Sequence, residues 1–259
     1  MDSYLIHLYI IRIIYPSESR LAIKESHMQK LAEVVSILTG TVSPFAFGEK
    51  SAINKTIQTQ RQKVVPLGMT NDQQADTRFH GGKEKALHIY PIEHYPDWIN
   101  HIGSNPALDN IGAFGENISS KGITEHDICI KDKIRIGTTL LEVSQGRMPC
   151  WKLNVRFNQK NMAQMLQDTL KTGWYFRVLE SGDIGQGDDI ILCERPFPNW
   201  TLARIMAAVF SGCLDPIQLK QLQALPLVDS WSKLIENRLK TQQLEDWSPR
   251  LFGPTDKHR

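Results

Sequence analysis

Ile128-Cys129-Ile130-Lys131-Asp132-Lys133-Ile134-Arg135-Ile136 is the stretch that decides the fold class. The isoleucines at 128, 130, 134 and 136 share one parity, and Lys131, Lys133 and Arg135 share the other. A period of two, with β-branched residues on one side, marks a strand with one buried face. Cys129 shares the parity of Lys131 and Lys133, so the pattern does not mark it as buried. Gly137-Thr138 turns the chain, and residues 139–145 continue as a second strand, so the segment predicts a hairpin.

The same signals recur on both sides. Residues 34–40 predict a buried strand, 45–54 a loop, and 86–90 a strand stopped by Pro91. Residues 92–102 suit a short helix, with Pro96 tolerable only near its first turn. Met162, Met165, Leu166, Thr169 and Leu170 lie at i, i+3, i+4, i+7 and i+8, which predicts an amphipathic helix ended by Gly173. Residues 174–179 and 189–193 predict strands. Beyond Arg195-Pro196-Phe197-Pro198 the apolar period changes to that of a helix. One stripe runs through Leu202, Ile205, Met206, Val209 and Phe210; a second helix opens at Asp215-Pro216; a third stripe holds Trp231, Leu234, Ile235 and Leu239. Short strands with Gly-rich turns predict a barrel or sandwich rather than a doubly wound sheet. The fold class is therefore mainly β with α. Residues 28–196 are expected as the β domain, 197–245 as a three-helix domain and 246–259 as a tail.

Composition limits the function. Of 259 residues, 41% are hydrophobic and 22% charged, which is ordinary globular usage and not that of a disordered chain. Thirty Lys and Arg against 28 Asp and Glu leave +2, and residues 201–240 hold five basic against three acidic residues, too modest a surplus for a phosphate-binding footprint, so no direct nucleic-acid partner is expected. Four cysteines with no CxxC pair make neither a disulfide framework nor a structural zinc site, which points to the cytoplasm. The apolar run 4–14 is shorter than the roughly 20 residues a bilayer span needs and lacks the flanks of a signal peptide. No membrane is expected. Residues 1–27 read as an extension that folding does not need, because the strand pattern begins just after Met28.

Three clusters could carry chemistry. Cys150 follows a strand, stands behind Pro149, and is bracketed by Arg147 and Lys152. Nearby cations favour the thiolate, the form that binds metals or attacks electrophiles. An isolated cysteine is also often a buried small hydrophobe, and local sequence leaves the two readings level. Asp76 precedes His80-Gly81-Gly82-Lys83, where glycines could bring backbone N–H groups to a phosphate and Lys83 could add charge. Phe114-Gly115-Glu116-Asn117 places a carboxylate and an amide after a glycine, suited to a polar ligand or to a plain capped turn.

Taken in order, Gln74-Ala75-Asp76, His80-Gly81-Gly82, Tyr90-Pro91, His94-Tyr95, Phe114-Gly115-Glu116-Asn117, Gly122-Ile123-Thr124-Glu125, Val143-Ser144-Gln145 and Arg147-Met148-Pro149-Cys150-Trp151-Lys152-Leu153 resemble a YiiM-type MOSC protein. MOSC names a module shared with the C-terminal part of molybdenum-cofactor sulfurases. The likeness runs from about Val34 onward, and the family's closing three-helix domain is similar to the three stripes. Asn71 and Lys131 stand where glycines are expected, and Gly146 where a proline is usual. The resemblance implies a β-barrel holding the molybdenum–pyranopterin cofactor, with Cys150 as the thiolate on the metal. It implies a reductase of small N-hydroxylated compounds, hydroxylaminopurines among them, fed by a separate flavoprotein reductase. The alternative is a non-catalytic carrier of cofactor or sulfur using the same cysteine. His80, Gly81, Gly82, Lys83, Asn117, Arg147 and Lys152 are the expected cofactor-binding residues, and Asp76 and Glu116 the expected substrate or supporting groups. The oligomeric state is left open.

Overall fold

A computed structural model describes residues 28–77 and 81–254. The extension 1–27 and His80 lie outside the described residues. In chain order the strands are β1 (Gln29–Gly40), β2 (Ser43–Pro44), β3 (Lys50–Ser51), β4 (Lys55–Gln58), β5 (Gln62–Val65), β6 (Gly68–Met69), β7 (Leu87–Pro91), β8 (Ile118–Lys121), β9 (Lys133–Ile136), β10 (Thr139–Gly146), β11 (Trp174–Glu180), β12 (Gly182–Ile184) and β13 (Asp189–Glu194). The helices are α1 (His94–Ile102), α2 (Lys152–Arg156), α3 (Met162–Thr169), α4 (Leu202–Phe210), α5 (Pro216–Gln223), α6 (Asp229–Thr241) and α7 (Ser248–Phe252).

Seven strands in the order β13-β9-β10-β11-β7-β8-β1 close into a barrel through a β1–β13 pairing. Closure removes the exposed edges of an open sheet. The long β1 makes this possible. Its first half pairs with β13 and its second half with β4 on the same edge, while β8 occupies the other edge. Register shifts between Lys30 and Ala32 and between Val34 and Ser36 bend it around the barrel. All pairs are antiparallel except β7–β8, whose parallel pairing needs a long crossover; α1 supplies it.

The predicted hairpin is present as β9–β10, with Ile136 opposite Thr139. Its first arm is shorter than the alternation suggests. Lys131 adopts φ 64 in a turn, so only Lys133–Ile136 is strand. The turn breaks the parity count, and Cys129, which the alternation did not mark as buried, is buried. Its N–H donates to Asp132 Oδ2 at 2.9 Å, and the buried Asp132 carboxylate pairs with Arg195 at 2.7 Å. The helix expected to stop at Gly173 stops earlier, because Leu170 takes φ 60 directly after α3.

Two apolar clusters organise the interior. The larger fills the barrel with Ile134, Ile136, Leu141, Val143 and Trp174 and runs on without a break into Leu202, Met206 and Trp231 of the C-terminal helices. At about 1.5–3 kcal/mol per fully buried large side chain, this shared core couples the helices to the barrel. The smaller cluster, outside the barrel interior, packs Tyr90 of β7 and the loop residues Phe114 and Phe157 against Trp98 of α1, Leu153 of α2 and Leu166 of α3. Tyr90 and Phe114 stack with centroids 4.0 Å apart. This cluster fixes the loops that carry residues 113–117 and 147–153. The segment expected as a plain tail contains α7, which packs back against α3.

Candidate functional site

The chain leaves β10 at Gly146, and the next residues enter a cleft. Arg147 N–H donates to Gly173 O at 3.0 Å, keeping the strand direction for one more residue. Its guanidinium turns inward and donates to Phe114 O at 2.7 Å. Met148 and Pro149 lead to Cys150, a half-buried thiol, and α2 begins at Lys152. Leu153 in the smaller core then anchors the loop from its far side. Cys150 is thus held between a barrel strand and a buried helix.

The cleft measures about 640 Å³, part of it open to solvent. Cys150, Arg147, Lys152, Asn117 and Asp76 line it, so five of the residues expected from sequence converge there. Lys55, Asp72, Lys85, His88, Phe114 and Tyr175 line it as well. The remaining expected residues are placed differently. Gly81, Gly82 and Lys83 do not line the cleft, and Lys83 is exposed. A Cβ at Gly82 would meet no atom within 4 Å, so the position is not packed against a wall. Gly81 is closer: a Cβ there would fall 2.3 Å from Oε1 of Gln74, which does line the cleft. Residues 83–85 form one 3-10 turn, which carries Lys85 to the cleft in place of Lys83. Glu116 is fully buried and accepts from Gly112 N–H, Phe114 N–H, Tyr95 Oη and Ser119 Oγ, each at 3.0–3.1 Å. It shapes the 112–119 loop from behind.

Asn117 ties the floor together. Its Oδ1 accepts from His88 N–H at 3.1 Å and its Nδ2 donates to Asp72 Oδ2 at 2.8 Å. Asp72 also accepts from Gly40 N–H at 2.7 Å and pairs with Lys55 Nζ at 2.5 Å. Burial pulls the Lys55 ammonium down from its ordinary value, with Asp72 opposing. His88 is held well below its ordinary value by burial and by the Arg147 charge, which makes it a neutral ring at neutral pH. Burial likewise lowers Lys85 and raises Tyr175, with the Cys150 sulfur and Arg147 contributing to both environments. Lys152 Nζ donates to Lys50 O at 3.1 Å and pairs with Glu49 at 3.0 Å, fastening the β2–β3 hairpin beside the thiol. From below, Arg250 reaches Pro149 O; burial brings its guanidinium down to about 10, which leaves it charged.

A soft sulfur donor amid Lys55, Lys85, Arg147 and Lys152 suits a thiophilic metal carried by an anionic group. Comparisons with known proteins identify the family. The family model described as MOSC domain matches residues 76–191, and the one described as YiiM-like, 3-alpha helix domain matches 200–242. The Escherichia coli protein YiiM is 34% identical over 220 residues, which cover 85% of this chain and 98% of that protein.

The chain belongs to the YiiM-like family of MOSC-domain proteins.

The crystal structure of Escherichia coli YiiM superposes with a TM-score of 0.71 at 28% identity, covering 86% of this chain and 98% of that one. YiiM from Geobacillus stearothermophilus gives 0.67 at 31% identity, covering 82% and 99%. A Gibberella moniliformis protein named reductase is 30% identical over 94% of this chain, which spans only 43% of that relative's length. In family terms the MOSC domain is a molybdenum-cofactor-binding module. The departures from the MOSC pattern have local explanations. Lys131 takes the left-handed φ that a glycine would adopt freely. Asn71 lies outside that region and donates to Gln62 Oε1 at 3.1 Å. At Gly146 a Cβ would stand 2.3 Å from Met206 Sδ, so a proline ring has no room.

Sequence reading singled out the thiol and its two flanking cations but not Lys55, Lys85, Tyr175 or Arg250. Lys85 carried a signal, since it stands just before the buried Ala86-Leu87. Lys55 and Arg250 carried none, because only the tertiary fold brings them in. No helix among the described residues is long and apolar enough to cross a membrane.

Proposed function

We propose that the protein is a molybdenum-cofactor-dependent reductase of small N-hydroxylated compounds, hydroxylaminopurines among them, with Cys150 as the thiolate that binds the metal. The observation that carries this reading is the convergence of one half-buried thiol with Lys55, Lys85, Arg147 and Lys152 on a single cleft. The family membership and the relative named reductase support it. When bound, the molybdenum–pyranopterin group supplies the two-electron chemistry that removes the N–OH oxygen.

The chain's own residues bind, orient and deliver protons. Arg147 and Lys152 are fixed by carbonyls of Phe114 and Lys50, so their charges are aimed before an anion arrives. Asn117, locked by Asp72 and His88, presents a rigid floor. Removal of the oxygen as water takes two protons. Lys85 Nζ, whose burial makes its proton easier to release, is the cleft group suited to relay them from solvent, and Asp76 lines the same cleft as a polar group for the substrate. Electrons come from a separate flavoprotein reductase.

The test uses protein made in cells that synthesise the cofactor. Molybdenum and pterin content are measured, followed by turnover of 6-hydroxylaminopurine with a flavoprotein donor. Cys150→Ser should lose metal and activity, whereas Cys129→Ser and Cys213→Ser should retain both. Full activity in Cys150→Ser removes the reading. Stoichiometric cofactor without turnover leaves a carrier.

A further inference from the structure

The C-terminal segment after α6 is fastened to both sides of Cys150. On one side, Arg250 Nη1 donates to Pro149 O at 2.5 Å. On the other, Arg250 O accepts from Trp151 N–H at 2.8 Å. Leu251 O accepts from Asn154 Nδ2 at 2.7 Å, and Gly253 lies so close that a Cβ there would stand 2.8 Å from the Trp151 ring. The guanidinium itself is oriented by Gln167 Oε1 at 2.7 Å and by the Trp247 ring, 5.0 Å from its centre. A backbone turn of one segment therefore brackets the peptide units before and after the thiol, and its arginine adds a positive charge beneath them.

We propose that Arg250 is a positioning residue for the Cys150 thiolate, and that residues 247–253 are part of the site rather than a tail. The proposal rests on Cys150 being the metal-binding thiolate, and it assigns a role to a segment beyond the matched three-helix domain. Pro149 has no N–H, so the loop cannot be tied by an amide at that position, and its carbonyl is the backbone group there that a donor can hold. Arg250 is that donor, and the charge makes the bond a strong one. Fixing the carbonyl on one side and the Trp151 amide on the other limits rotation of the peptide planes that aim the Cys150 side chain. A site held in this way need not be ordered by the cofactor on binding.

The test compares purified full-length wild type, Arg250→Ala and Arg250→Lys by amide hydrogen exchange of the cofactor-free protein and by molybdenum per folded chain after production in cofactor-competent cells. In Arg250→Ala, exchange across residues 150–157 should rise about tenfold while β11 is unchanged, because a local tether is lost and not the barrel. Molybdenum content should fall about fivefold or more, and Arg250→Lys, which can still reach one carbonyl, should recover part of both. Unchanged exchange in 150–157, exchange rising equally in β11, or molybdenum within about twofold of wild type overturns the proposal. If Arg250→Ala does not fold, Arg250→Lys carries the test: intermediate values support the proposal, and wild-type values assign Arg250 to the fold alone and overturn it. Cys150→Ser in parallel separates the two ideas. Retained metal there removes the proposed function. Lost metal there, with wild-type behaviour in Arg250→Ala, removes only the role of Arg250.

Discussion

Replacing Asp72 with alanine tests the floor of the cleft. The Asp72 and Lys55 side chains are 4% and 7% exposed, so neither charge is solvated well by water. Asp72 accepts two bonds from Lys55 Nζ, at 2.5 and 2.6 Å, one from Gly40 N–H and one from Asn117 Nδ2. Asp72→Ala leaves a buried ammonium without its carboxylate, and breaking one partner of such a pair costs about 3–5 kcal/mol. Lys55→Met strands the carboxylate, but that group keeps two N–H donors, so the loss should be smaller, about 2–3 kcal/mol. The double variant removes both charges. It should lose mainly the Gly40 and Asn117 bonds, roughly 1 kcal/mol each, with a little cavity strain. The expected coupling is therefore about 3–6 kcal/mol, well outside the ~0.5 kcal/mol within which independent sites add. Urea unfolding of the four cofactor-free proteins measures it. Additive losses within that margin would show that Lys55 and Asp72 do not act as a buried pair, and the rigid floor assigned to Asn117 would go with them.

Other perturbations test separate parts of the site. His88 is neutral in the folded protein, while the unfolded chain binds a proton near pH 6.5; stability of the cofactor-free protein should therefore fall as pH drops below that value, by up to ~1.4 kcal/mol per unit, until the native ring protonates. His88→Gln should flatten this limb in urea titrations at several pH values, and an equal slope in both proteins refutes the assignment. Gly146→Ala pushes a Cβ into Met206 and should cost about 1–3 kcal/mol in thermal or urea unfolding, with Gly146→Ala/Met206→Ala recovering part of it over Met206→Ala alone. Gly82→Ala should cost about 1 kcal/mol through its φ of 90 while sparing cofactor content. Gly81→Ala should do the reverse, displacing Gln74 from the cleft wall with little loss of stability.

What could be read from sequence follows the range of the interactions involved. The β9–β10 hairpin was legible because alternation and a Gly-Thr turn are local. The three C-terminal stripes were legible for the same reason, and they are α4, α5 and α6. Parity counting lost its force where one residue leaves the extended region: Lys131 at φ 64 turns the chain, and the alternation therefore gave no sign that Cys129 is buried. Leu170 stopped α3 for an equally local reason that composition does not show, since a leucine seldom adopts the left-handed cap. The segment 246–259 has no long apolar stripe. Its α7 is held by bonds to residues about a hundred positions earlier, such as Arg250 to Pro149 across 101 residues.

The site divides in the same way. Cys150, Arg147 and Lys152 are neighbours in sequence, so their shared chemistry was visible as a thiol between cations. The Gly81–Gly82 turn looked like a phosphate cradle because its residue types suit one, yet Lys85, two residues past Lys83, is the cation carried inward. One turn of 3-10 helix decides between them, and residue type alone does not encode it. Lys55 reaches the cleft because β4 pairs with the second half of β1, and that pairing exists only because β13 stops at the first half. The barrel's closure and the cleft's charge thus have one origin in the length of β1. Each of the cations tied here was already oriented by a local partner: Lys55 by Asp72, Arg147 by Phe114 O, Lys152 by Glu49 and Lys50 O, and Arg250 by Pro149 O. An anion entering such a cleft meets charges that need little reorganisation, which is the condition under which electrostatic complementarity contributes most to binding.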